Sequence, residues 1–182
     1  MADGWLFRDE VNFNKHKDLI REYFTPDQEI INTINQLISE CKKKSDVIIG
    51  IHIRRGDYIN IPEYGILSLE YFARNLNDVG KEDDEVIVAS DDLGVLHDFL
   101  SLRDVEILSP KDYSPLETMR RLTASKVFIM SNSTFSFWVG WLVSLKGGIV
   151  IRPNPWFKQS NVSENFLSLN KFLDSPSEFE IM

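Results

Sequence analysis

The chain has 182 residues, 43% hydrophobic and 26% charged, which suits one soluble globular domain with a real core and excludes a disordered chain. Its formal net charge of −8 argues against a general nucleic-acid or acidic-membrane binder, so an anionic ligand would have to be caught by a local basic cluster. The lone cysteine, Cys41, excludes an internal disulfide and a multi-cysteine zinc site, and no window is long and apolar enough to span a membrane.

Residues 1–24 read as a lead-in segment, with Trp5, Phe7, Phe13, Tyr23 and Phe24 spread among charges. They do not resemble a signal peptide, so the expected location is cytoplasmic. The domain itself is expected over residues 25–182. Thr25, Pro26 and Gln28 open a helix with a capping box and a first-turn proline. Ile30, Ile34, Leu37, Ile38 and Cys41 form its apolar stripe, which makes Cys41 a buried, inert thiol.

Val47-Ile48-Ile49-Gly50-Ile51 reads as a buried strand, and His52, Arg54, Arg55, Gly56 and Asp57 follow it at once. A flexible segment passes through Pro62 and Gly65. Ser68 then caps a helix that turns Leu69, Phe72, Ala73 and Leu76 inward and stops at Gly80. Glu85–Ala89 is a second strand, ending in Ser90-Asp91-Asp92. A helix carrying Leu93, Leu96 and Leu100 leads to a third strand, Val105–Leu108. Ser114-Pro115-Leu116-Glu117 is a capping box for a helix reaching about Ala124. Lys126–Met130 is a fourth strand, ending in Ser131-Asn132-Ser133-Thr134. An aromatic-rich helix follows, with Phe135, Phe137, Trp138, Trp141 and Leu142. Ile149–Ile151 is a fifth strand, and one more short helix is expected near residues 165–172. Short apolar strands alternating with helices predict an α/β fold, a Rossmann-like doubly wound parallel sheet.

Ligands of such sheets sit outside the carboxyl ends of the strands, and three strand ends carry polar clusters. In the first, Arg54 and Arg55 can clamp a phosphate-like oxyanion, because guanidinium binds it bidentately and stays charged. One of the two is expected on the ligand, the other in a structural pair. Asp91 and Asp92 admit three uses: a metal, an ordinary helix start, or acceptance of hydrogen bonds from guanine N1 and N2. With arginines handling phosphate charge, metal is the weakest of these. Ser133 and Thr134 at a helix start form a second phosphate cradle or a plain cap. Trp138 and Trp141 read as core rather than a sugar platform, and His16 and His97 as surface or packing residues. The sequons at Asn132 and Asn161 are discounted without a secretory signal.

These clusters resemble the motifs of α-1,2-fucosyltransferases, glycosyltransferase family 11. The similarity rests on His52-Ile53-Arg54-Arg55-Gly56-Asp57-Tyr58, on Ser90-Asp91-Asp92, and on Asn132-Ser133-Thr134-Phe135-Ser136-Phe137-Trp138 with Trp141 beyond. Asn154-Pro155-Trp156-Phe157 adds to it, and it covers most of residues 1–160. The resemblance implies a GDP-fucose donor, a two-lobed GT-B architecture of which this chain is the donor-binding lobe, and inverting transfer with no metal or other cofactor. It implies a glycan acceptor, a β-galactoside taking fucose in α-1,2 linkage. Arg54 would bind the pyrophosphate and assist its departure, His52 and Asp91 would hold guanosine, and Ser133–Ser136 would line the phosphate side. The expected site is therefore Arg54 and Asp57 as catalytic residues, with His52, Arg55, Asp91, Asp92, Asn132, Ser133, Thr134 and Ser136 binding substrate.

The departures are specific. The family's usual glycine-rich opening segment, of the Gly-Leu-Gly-Asn-Gln type, is not found, and the chain starts about where the second lobe would. Phe137 and Val139 stand where the family more often has tryptophan and glycine. The expectation is a donor lobe, as a fragment or a shortened homologue, whose base is Asp57 or a residue of an acceptor-side lobe. A non-catalytic GDP-sugar-binding or interaction module is the alternative.

Overall fold

The computed structural model describes residues 47–94, 96, 105–158 and 172–180, with isolated positions between 15 and 36. The helix expected from Thr25 to Cys41 lies, but for such positions, outside the described residues. So do His97, Asn161, most of the helix through Leu100, and the last short helix apart from Phe172.

Among the described residues six strands build one sheet: β1 (Ile48–Ile53), β2 (Glu85–Ser90), β3 (Val105–Leu108), β4 (Val127–Ile129), β5 (Ile149–Asn154) and β6 (Leu173–Pro176). All five pairings are parallel, in the order β3-β2-β1-β4-β5-β6. From β1 the chain winds outward to β3, crosses back to lay β4 on the other side of β1, and winds outward again to β6. The reversal leaves a crevice beside the carboxyl ends of β1 and β4, where ligands of such sheets bind. The expected Rossmann-like doubly wound sheet is what the chain forms.

Both faces are covered, because successive strand residues point to opposite sides. Ile49, Ile51, Val86, Val88 and Ile129 pack on one side with Tyr71, Phe72 and Leu76 of helix α1 (Leu69–Val79). On the other, Ile87, Ala89, Phe128 and Met130 meet Leu122 of α2 (Pro115–Thr123) and Phe137 and Trp141 of α3 (Thr134–Leu145). Trp141 is buried in that core and Trp138 packs against it, as expected. The helix starts are also where the sequence puts them. Ser68 Oγ accepts from the Tyr71 amide at 3.4 Å, and the Ser114–Glu117 capping box is complete.

Besides β5, which runs on to Asn154 instead of stopping at Ile151, three features differ from the expectations. First, β1 runs two residues further, so His52 and Ile53 lie in the strand, opposite Ala89 and Ser90 of β2. Second, Asp57–Asn60 forms a single 3₁₀ turn that spans the end of the His52–Tyr58 loop and the start of the segment expected to be flexible. Third, β6 has no counterpart among the predicted strands. Its Leu-Asp-Ser-Pro sequence has poor β propensity, and as an edge strand paired only with β5 it tolerates proline. Beyond it Phe179 bridges Leu67, and the Glu180 amide donates to the Ile66 carbonyl at 2.8 Å. The end of the described chain is thus stitched beside the loop that follows β1. Among the described residues no helix is long and apolar enough to cross a membrane.

Candidate functional site

The loop after β1 is held open by charge. Arg54 Nη2 lies 2.6 Å from Asp57 Oδ1 and Nη1 lies 3.0 Å from Asp91 Oδ2, with the Arg54 side chain 34% exposed. Its guanidinium stacks 5.7 Å from the Tyr58 ring centre. The fork therefore keeps donors for an incoming oxyanion while its orientation is set from two sides. The neighbouring Arg55 is placed differently. Its guanidinium is paired with both carboxylate oxygens of Glu180, its Nε lies 3.4 Å from Asp92 Oδ2, and only 12% of the side chain is exposed. Hydrogen bonds to Glu180 hold this guanidinium above the usual arginine range despite its burial.

One of the two arginines is locked in a largely buried pair, and the other, though also ion-paired, is the more exposed. The pairing with Asp57 falls on Arg54, the more open arginine, and the structural partner of Arg55 is Glu180, 125 residues away. The loop closes on the end of β2 through the Arg55 amide, which donates to Asp91 Oδ1 at 2.9 Å. A Cβ on Gly56 would stand 2.5 Å from Asp91 Oδ2, so any larger residue there would displace that carboxylate. Asp92 Oδ1 accepts from the Gly94 amide at 3.0 Å.

The junction of β4 and α3 faces the same crevice with uncharged groups. Ser133 caps α3, its Oγ accepting from the Ser136 amide at 3.1 Å. Thr134 is exposed in the first turn, where helix geometry leaves the leading amides without intrahelical acceptors. That end of α3 offers its positive dipole to an anion. Asn132 is turned inward: its Nδ2 donates to the Tyr64 and Gly65 carbonyls at 3.0 and 3.1 Å. Gly65 needs φ of +70°, and a Cβ there would meet Lys158 and Phe179 at 2.7 Å. Asn132 thus tethers the loop and offers nothing to solvent.

His52 joins the two walls. Its Nδ1 lies 2.6 Å from Ser136 Oγ, which also accepts from the Ser131 amide at 3.1 Å. Only 6% of His52 is exposed. Burial pushes the imidazole down to about 4, with the Asp91 carboxylate opposing and Arg54 reinforcing, so the ring is neutral at neutral pH. Burial likewise pushes the Tyr58 hydroxyl up to about 12, and it donates to the Asn132 carbonyl at 3.0 Å.

The profile of the family described as "Glycosyl transferase family 11" matches residues 5–170. The chain belongs to glycosyl transferase family 11. It is 31% identical over 170 residues to the O-antigen biosynthesis glycosyltransferase WbnK of Escherichia coli, covering 87% of this chain and 56% of that protein. It is 29% identical over 172 residues to an alpha-1,2-colitosyltransferase of the same organism, covering 87% and 57%. The chain thus spans little more than half the length of these relatives. Among solved structures it is similar to POFUT1 in complex with GDP, with a TM-score of 0.45, 16% identity and coverage of 63% and 44%. It is also similar to the alpha-1,6-fucosyltransferase NodZ soaked with GDP-fucose, with a TM-score of 0.42, 20% identity and coverage of 63% and 42%.

Within this family 11 chain His52, Arg54, Asp57, Asp91, Asp92, Ser133 and Thr134 gather at the carboxyl ends of β1, β2 and β4, while Ser136 is fully buried behind His52. Arg55 and Asn132 point into the supporting framework. Two residues outside the expected site belong to that framework. Ser131 Oγ accepts from the Arg54 amide at 3.2 Å, and it stood in view within the polar run after β4. Glu180 carries no local signal at all, since its partner is chosen by the course of the chain after β6. Among the described residues, no three histidine, cysteine or acidic side chains gather so as to hold a metal ion.

Proposed function

We propose that this chain forms the donor-binding, GT-B-type half of an inverting fucosyltransferase. It takes GDP-fucose as donor and passes L-fucose to the 2-hydroxyl of a galactose unit in a glycan. The reading places the chain in the cytoplasm, needs no metal or other cofactor, and shares the reaction with an acceptor-side lobe. The carrying observation is Arg54: in an acidic protein its guanidinium, 34% exposed and oriented by Asp57 and Asp91, stands at the switch point of the sheet, where its amide bonds Ser131 just ahead of α3. A nucleoside diphosphate suits that combination, and a departing diphosphate gains most from charge fixed in place beforehand. The relative named as an alpha-1,2-colitosyltransferase supports the α-1,2 linkage and makes colitose a second donor sugar to assay.

In the transfer, the acceptor oxygen bonds to the anomeric carbon as the bond to the β-phosphate oxygen breaks. Arg54 takes up the growing negative charge on GDP, and a base removes the acceptor proton. Inversion puts that base on the opposite face of the sugar from the diphosphate. Asp57 shares the very guanidinium that meets the diphosphate, so we assign it to orienting Arg54 and give the proton to the acceptor side. Asp91 and Asp92 are the carboxylates at hand for guanine. Calorimetry with GDP, UDP and ADP tests the reading. A clear preference for GDP is expected, and equal binding of all three would overturn it. A transfer assay with β-galactoside acceptors then separates a catalytic chain from one that only binds the nucleotide sugar.

A further inference from the structure

His52 has two ring nitrogens, and which one carries the proton decides whether it offers a ligand a donor or an acceptor. Nδ1 is committed to Ser136 Oγ at 2.6 Å. Ser136 is fully buried, and its oxygen also accepts the Ser131 amide at 3.1 Å. No other acceptor is within reach of the Ser136 hydroxyl among the described residues. If Nδ1 carried the proton, Ser136 Oγ would accept twice and its own hydrogen would be buried without a partner, a costly arrangement. If Nδ1 is bare, every group is satisfied: the Ser131 amide donates to Ser136, and Ser136 donates to His52. The proton of the neutral ring then sits on Nε2.

Nε2 has no hydrogen-bond partner among the described residues, yet it is not one of the fully buried unpartnered atoms, which are Arg55 Nε, Arg120 Nε and Trp141 Nε1. It is therefore the ring nitrogen left without a protein partner in a residue that is 6% exposed. The Arg54 and Asp91 charges act on the imidazole as a whole, and the Phe135 ring centre lies 4.8 Å from the imidazole centre.

We propose that Ser136 is a positioning residue that locks His52 in its Nε2–H form, so that His52 acts as a fixed neutral hydrogen-bond donor to an acceptor atom of the bound nucleotide. Ser136 thus works through His52 rather than by touching phosphate itself. The inference rests on the GDP-binding reading for its ligand, but the tautomer belongs to the free protein and is tested there. Heteronuclear NMR of histidine ring nitrogens in the full chain should show Nδ1 bare and Nε2 protonated for His52 before any ligand is added. A protonated Nδ1 would overturn the proposal whatever the protein binds.

On titration with GDP the Nε2–H signal should shift. Binding seen by calorimetry without such a shift would sink the proposed contact while leaving the functional reading intact. No GDP binding at all would sink the reading, and with it the role of His52 toward GDP, while leaving the tautomer to stand on its own result. Ser136→Ala should lose the tautomer preference and weaken GDP by about ten-fold, the worth of one good hydrogen bond. Ser136→Thr, which keeps the hydroxyl, should restore both. If Ser136→Ala keeps the Nε2–H form and full affinity, Ser136 has no positioning role. Should either variant fail to fold, the wild-type tautomer still decides.

Discussion

The two walls of the crevice solve the same problem with opposite chemistry. The wall built by the ends of β1 and β2 is charged and half open, with Arg54, Asp57 and Asp91 each reaching solvent. The wall built by β4 and α3 is neutral and, apart from the exposed Thr134, closed. Ser131, Asn132 and Ser136 are fully buried, and each is hydrogen-bonded inside the protein. The difference follows from the cost of burial. A neutral hydroxyl or amide can be taken out of water if its bonds are made internally, whereas a charge so treated needs a matched counter-charge. Arg55 is the exception on the charged wall and makes the point, because its burial comes with Glu180 and Asp92 on either side. The wall that must exchange water for ligand keeps its charges accessible, and the wall that must hold shape spends its polar groups on itself.

The largest test of this contrast is acid. His52, in β1 but bonded to Ser136 of the neutral wall, is buried with its imidazole near 4 in the folded chain against 6.5 ordinarily. Between those values only the unfolded chain takes up the proton, so stability falls as pH drops through this window. It is unaffected above it, and the loss is complete below it, at about 3 kcal/mol in all. Urea unfolding at a series of pH values should show this slope, and His52→Gln should remove it. An unchanged slope in the variant would mean that the neutral wall is not what acid attacks.

On the charged wall, Arg54→Ala should weaken GDP by about a hundred-fold, the loss of a charged hydrogen-bonding clamp, with little change in melting temperature. Arg55→Ala should do the reverse. Leaving Glu180 unpaired should cost about 2 kcal/mol of stability, less than for a fully buried pair because Glu180 is partly exposed, with a smaller loss of GDP affinity. Equal effects of the two variants on GDP would erase the distinction between an open and a locked arginine. The smallest effect is expected at Thr134→Ala, within about 0.5 kcal/mol of wild-type stability, since Ser133 alone caps α3. A large destabilisation there would put Thr134 inside the framework rather than at its surface.

Much of the architecture was legible locally. The apolar runs at Ile48, Val86 and Val127, the caps at Ser68 and Ser114, and the polar clusters closing three strands each depend on a few neighbouring residues. A pattern of that range predicts strands, helix starts and the edge of the sheet where a ligand would sit. It could not show that His52 lies within β1, because an imidazole in a strand looks no different from one in a loop until its burial is known. Nor could it reveal β6, whose residues disfavour the strand they form and are held there by pairing with β5.

By itself, then, the sequence determined the alternating α/β layout, the two capping arrangements and the residue types gathered at the carboxyl end of the sheet. The tertiary structure decided which of them meet and which remain available. The order β3-β2-β1-β4 puts Arg54 beside Ser131 and His52 beside Ser136, and the path after β6 brings Glu180 to Arg55. Periodicity and capping act over one turn or one strand, so they are written in adjacent residues. Partner choice between side chains up to 125 positions apart follows from register, crossover and burial, which no stretch of adjacent residues contains.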